Sequence, residues 1–245
     1  MFDFFLEAYV RFFTSFLPAL AIGALVVSAT TAKVPPPKIG KAVFITAGFL
    51  GIWHALAAFA TAEGLVMPPP TMMDPPYVLM LMFGGAFGVW ALARLTSLGR
   101  AITEHTDQSI LMAYQLPRVM GGVFLIGWAN GTIPWQFALP AGIGDILAGV
   151  AAWKAMRATQ RGDSIARLLV WRANIIGLVD FAVAIVTGLI TSVGFMHLLS
   201  HDVPNIINAW PLGLFPSFFV GTFMAAHALS IGQLRRADRR STLAV

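Results

Sequence analysis

Five ionisable residues, Arg118, Asp145, Arg172, Asp180 and His227, stand inside stretches otherwise apolar enough for lipid. A lone charge at the centre of a bilayer costs at least ~2.5–3.5 kcal/mol. Scattered over lipid-facing positions, these residues would incur that cost separately; gathered into one site, they offset one another. Such a cluster can pair ions, bind a proton and exchange partners as protonation changes, with histidine as the group suited to titrate near neutral pH.

Asp145 lies in "FALPAGIGDILAGVAAW", residues 137–153. Its "GIGD", 142–145, matches the GxGD box of intramembrane aspartyl proteases, in which two carboxylates share a proton and activate water. Asp180 would then be the partner. The match stops at four residues. Val179 rather than tyrosine precedes Asp180, the two aspartates come in the reverse order, and no PAL box follows. Arginines nearby favour ion pairs over a shared-proton dyad.

Other chemistry is thinner. His197 and His201 have i, i+4 spacing with Asp202 beside them, a candidate metal site. Met67, Met72 and Met73 fall on the same side, which would suit copper. The plainer reading is polar groups at a wet boundary, and no cofactor is expected. His54 and His227 differ in depth by roughly 8 Å, too far for one haem iron. Lys33, Lys38, Lys41 and Lys154 all lie at loops or helix ends, so a retinal Schiff base has no partner. The chain has no cysteine, which removes thiol, disulfide and iron–sulfur chemistry, and neither a Walker loop nor HExxH occurs.

The elements that must position the cluster follow from composition. Of 245 residues, 58% are hydrophobic and 11% charged, against about 25% charged in soluble domains. Too few charges exist to cover that much apolar surface in water. Runs near 20 residues recur, each able to cross a ~30 Å hydrocarbon core. The expectation is an all-α polytopic bundle, one transmembrane domain over 1–245. Its spans fall near 11–30, 42–62, 77–98, 110–130, 137–157, 165–190 and 211–234. Residues 1–11 read as an interfacial lead-in. "KVPPPK" and "MPPPTMMDPP" break the chain between spans.

Cations sort to one end. Lys33, Lys38 and Lys41, then Arg94 and Arg100, then Lys154, Arg157, Arg161 and Arg167, then Arg235, Arg236, Arg239 and Arg240 follow alternate spans. The connections 63–76, 131–136 and 191–210 hold Glu63, Asp74 and Asp202 but no Lys or Arg. Positive loops face the cytoplasm, so the N-terminus is expected outside and the C-terminus inside. The basic pI thus marks topology rather than nucleic-acid binding. The last outer connection, "TSVGFMHLLSHDVPNIINAW", is expected to form a short interfacial helix with Trp210 at headgroup depth.

Counting at 1.5 Å per residue puts both aspartates near mid-membrane, with Arg118, Arg172 and His227 roughly 10 Å in from the basic end. Arg118 and Arg172 are expected to reach Asp145 and Asp180, with His227 at the lower edge. Arg172 and Asp180 differ by about 80° around one helix, whereas Asn174, some 120° from Asp180, is expected outside the site. Pro117 is expected to kink the fourth span, and Pro140 and Pro216 to sit in first turns. Gly84 with Gly88, and Gly142, Gly144 and Gly149, suggest close helix packing.

The runs 118–149, "RVMGGVFLIGWANGTIPWQFALPAGIGDILAG", and 211–230, "PLGLFPSFFVGTFMAAHALS", resemble a group of small bacterial multi-span proteins that are usually left uncharacterised. The resemblance implies topology and a core built from the last four spans, and carries no activity. The functional expectation is proton- or ion-coupled transport of a small solute in a bacterial cytoplasmic membrane. The partners expected are membrane lipid and a small solute or ion, with a second copy or partner subunit left open. A non-catalytic sensor, assembly or scaffold protein with structural charges is the alternative, and an intramembrane enzyme using Asp145 and Asp180 the third reading.

Overall fold

A computed structural model describes the backbone of residues 2–243 and the side chains of residues 4–237. Asp3, Arg239 and Arg240 therefore lie outside the described side chains. Among the described residues the regular structure is entirely helical. The helices are α1 (Phe2–Thr31), α2 (Pro36–Ala62), α3 (Tyr77–Leu95), α4 (Ser97–Thr103), α5 (Gln108–Ala113), α6 (Gly122–Ala129), α7 (Trp135–Arg161), α8 (Ala166–Thr191) and α9 (Val220–Leu243). A 3₁₀ turn, Leu116–Gly121, joins α5 to α6, and a π turn, Phe215–Phe219, leads into α9.

Seven stretches are long and apolar enough to cross a membrane: Phe4–Thr31, Pro36–Ala62, Tyr77–Leu95, Gln108–Ala129, Trp135–Arg161, Ala166–Thr191 and Phe215–Ala237. Their outward faces carry large apolar side chains such as Phe44, Ile52, Phe59 and Phe87, each more than half exposed. Water would not tolerate such a band at this density; hydrocarbon would.

The bundle is held by an aromatic interior. Trp53 of α2 stacks edge-on against Phe218, and its indole N–H donates to Ser217 O at 3.0 Å. The ring fits because Gly85 and Gly221 flank it; a Cβ at either position would overlap the indole. Small residues therefore do set the packing. On α3 the packed glycines are Gly85 and Gly88, the latter against Phe49, whereas Gly84 faces open space. On α7, Gly142, Gly144 and Gly149 meet Leu125, Asp180 and Val119.

Three expectations about the elements are corrected. The first helix starts at Phe2, so residues 2–11 continue it rather than forming a separate lead-in. Pro140 sits inside α7 rather than in its first turn, because the helix begins at Trp135, after Pro134. The 191–210 connection forms no helix. It folds back on the end of α8 instead. Leu198 and Leu199 N–H both donate to Ile190 O, and Asn205 caps Thr191 through its backbone N–H and its side-chain amide. Gly194, Pro204 and Ser200, the last at φ 63°, oppose a regular helix there.

The fourth span is broken rather than merely kinked. Pro117 occupies the first turn of the 3₁₀ segment, and Gln115 just before it is fully buried. Irregular backbone at membrane depth survives only where protein satisfies its polar groups. Here Tyr9 Oη donates to Met120 O at 2.9 Å, while the Gln115 side chain ties the break to α9 by donating from Nε2 to Phe223 O at 3.1 Å.

Candidate functional site

The broken segment presents Arg118, which is fully buried. Its Nε donates to Asp145 Oδ1 at 2.9 Å, and its Nη2 to Asp180 Oδ2. Its Nη1 donates to Gly177 O at 3.1 Å and lies 3.3 Å from His227 Nε2. The guanidinium also lies over the face of Phe181, 3.8 Å from the ring centroid, where the negative π-face favours a cation. One arginine thus ties α7, α8 and α9 to the break in the fourth span.

The two carboxyl groups thus flank one guanidinium from two different helices. One guanidinium serves two carboxylates, so the formal charge of the trio is −1 when both are ionised. Asp180 Oδ1 is buried with no hydrogen-bond partner. It lies against Gly144, where a methyl group would displace it, and Asp145 lies in the same way against Gly121. Glycine is needed at both positions so that carboxylates from one helix can abut the backbone of another.

His227 begins a chain of hydrogen bonds leading away from the carboxylates. Its Nδ1 meets Asn174 Oδ1 at 2.8 Å, and Asn174 Nδ2 donates to Ser230 Oγ at 2.8 Å. Ser230 Oγ donates to Gln108 Oε1 at 2.7 Å, and Gln108 Nε2 to Gln233 Oε1 at 3.0 Å. Gln233 Nε2 ends the chain on the carbonyls of Thr103, the last residue of α4, and Thr106, in the α4–α5 connection. With Asn174 presenting its oxygen, the histidine carries its proton on Nδ1 and accepts at Nε2 from Arg118. Every link then donates in one direction, from Arg118 toward the end of the bundle bearing Arg94 and Arg100. Amide links hold such a chain in register and relay no proton along it.

On the opposite side the carboxylates line a cavity of about 80 Å³. Phe124, Phe137, Phe181 and Phe215 form much of its wall, and it extends toward Ile207 and Asn208. The site is therefore asymmetric, amide-sealed on the basic side and hollow on the other.

Of the expected residues, Arg118, Asp145, Asp180 and His227 meet. Arg172 does not: it is exposed, while the buried face of α8 is Ala173, Asn174, Gly177, Asp180 and Phe181. An 80° offset carries it onto the flank, and a position two turns into α8 lets its long side chain reach toward the basic end. Asn174, expected outside, belongs to the site. It contacts His227 nearly two turns closer to the basic end than Asp180, where angular position relative to Asp180 is irrelevant. Ser230, Gln108, Gln233 and Tyr9 went unforeseen. The available signal was polar side chains recurring on three spans near one depth.

His197 and His201, in the connection after α8, lie apart from this cluster. The rings of His197 and His201 are 4.5 Å apart between centroids. Asp202 does not complete a set, since no group of three potential metal ligands exists among the described residues. The i, i+4 argument lapses with the helix it assumed.

A family described as a domain of unknown function, DUF8737, matches residues 75–235. The chain belongs to this family. The matched region contains Arg118, Asp145, Asp180, His227 and the whole amide chain, and leaves out α1 and α2. No curated protein and no solved structure matches the chain significantly.

Proposed function

We propose that the Arg118–Asp145–Asp180 cluster is the proton-binding coupling site of a small-solute transporter in the bacterial cytoplasmic membrane, the basic end facing the cytoplasm. One observation carries the reading: two carboxyl groups share a single guanidinium and line a cavity. Charge balance in low dielectric calls for one further positive charge, and a proton held between the carboxyl groups supplies it. Its loss leaves one uncompensated charge, worth ~2.5–3.5 kcal/mol or more at membrane depth. That is enough to shift a two-state equilibrium roughly 100-fold. The broken fourth span and the π turn before α9 are the kinds of irregularity that accompany membrane binding sites. Closure by the amide chain on one side, with a cavity on the other, suits a conformation open toward the face away from the basic loops.

The test is proton flux in liposomes carrying purified protein and an internal pH-sensitive dye, with candidate solutes added outside. Asp145→Asn and Asp180→Asn are expected to abolish solute-dependent flux while the protein elutes as the wild type does from size exclusion. Undiminished flux in both variants would reject the assignment. A second reading, a non-transporting scaffold, is favoured by the saturation of Arg118 with partners on three helices. It requires that the same substitutions act on thermal stability, with no solute moved by the wild type.

A further inference from the structure

A second cavity, of about 410 Å³, lies in the basic half of the bundle among α1, α2, α3, α4, α5 and α9. Its size falls in the ~300–1,000 Å³ range of ligand sites. The wall is mostly aliphatic, and several of its hydroxyls are committed to backbone. Ser28 Oγ donates to Ala24 O, Thr96 to Leu92 O, Thr103 to Ala93 O and Thr222 to Phe219 O. Aliphatic carbon dominates the wall, so a long apolar group fits it better than a polar solute. The rim differs, because Lys41 lines it, is exposed and makes no ion pair among the described residues. No carboxylate lines the cavity. Lys38 lies one turn before Lys41 on α2, and Arg94, which reaches Thr103 Oγ1 at 3.5 Å, adds positive charge at the same end. An apolar slot under a cationic rim, in a protein with a lipid-facing exterior, complements one class of molecule.

We propose that this cavity holds one acyl chain of an anionic phospholipid, with its phosphate at Lys41. The site is separate from the carboxylate cluster, so its test does not depend on transport. Native mass spectrometry of the full chain in neutral detergent would be titrated with phosphatidylglycerol and, separately, phosphatidylcholine of identical chains. One phosphatidylglycerol is expected to be retained in preference to phosphatidylcholine. Lys41→Gln is expected to weaken phosphatidylglycerol retention about fivefold, since a basic group at an anionic lipid surface is worth ~1 kcal/mol. It should leave phosphatidylcholine unchanged. Ala93→Phe, which fills the slot, is expected to remove the retained lipid. If that variant is not recovered folded, Ala24→Leu narrows the slot from the opposite wall and should do the same to a lesser degree. Equal retention of the two lipids by the wild type would overturn the proposal. So would phosphatidylglycerol retention insensitive to both Lys41→Gln and the filling variant.

Discussion

Replacing Arg118 by methionine removes the cation and keeps most of the side-chain volume. The loss includes a 2.9 Å bond to Asp145, the bond to Asp180, a 3.1 Å bond to Gly177 O and the stack on Phe181. Two carboxyl groups that shared one cation are then left in low dielectric without it. Breaking a buried pair from one side costs about 3–5 kcal/mol. At ~2–4 °C per kcal/mol for a chain of this size, Tm should fall by about 6–20 °C. The seven tryptophans allow this to be followed by intrinsic fluorescence in detergent. The decisive comparison is the triple variant Arg118→Met, Asp145→Asn, Asp180→Asn. With no charge left to desolvate, it should recover most of the loss, because replacing a whole buried ionic group is often neutral. A single variant within 2–3 °C of wild type, or a triple variant no better than the single, would refute the charge-balance reasoning from which these shifts were derived.

Other perturbations separate packing from chemistry. Gly177→Ala places a methyl group against both Arg118 and His227, so it should cost about 1–3 kcal/mol and impair flux. Gly84→Ala, into open space on a helix, should be neutral or slightly stabilising in the same melting assay. Asn174→Ala strands the His227 N–H and breaks the amide chain, for an expected loss of about 1–3 kcal/mol, and should raise proton leak from the basic side in the liposome assay. Tyr9→Phe leaves Met120 O without its donor in the 3₁₀ turn and should lower Tm by a few degrees, about 1 kcal/mol.

Much of this architecture was legible from solvent preference alone. Runs of apolar residues and proline-rich breaks located the spans, because backbone in lipid has few alternatives to helix. The cost of a lone charge in lipid likewise draws Asp145, Asp180, Arg118 and His227 together. Direction around a helix, taken without depth along it, misplaces Arg172 and Asn174. Arg172 and Asp180 share a rough azimuth, yet Arg172 is near enough to the basic end to turn outward, whereas Asp180 is not. Angle alone places Asn174 outside the site, although His227 crosses to it from another helix. The connection after α8 misled for a different reason. Most of its apolar residues stay exposed, and hydrogen bonds from Leu198, Leu199 and Asn205 to the end of α8 hold it, which needs no helical period. Nor could spacing show that a single guanidinium would serve both carboxyl groups, since that depends on Gly121, Gly144 and Gly177 letting three backbones close on one point.

Infrared difference spectroscopy of the purified protein, titrated with pH, reads the proton itself. A protonated-carboxyl stretch should be present at neutral pH, disappear on alkalinisation, and be absent or shifted in both Asp145→Asn and Asp180→Asn. A spectrum with no such band from either aspartate at any pH where the protein stays folded would contradict the shared-proton site and the coupling built on it.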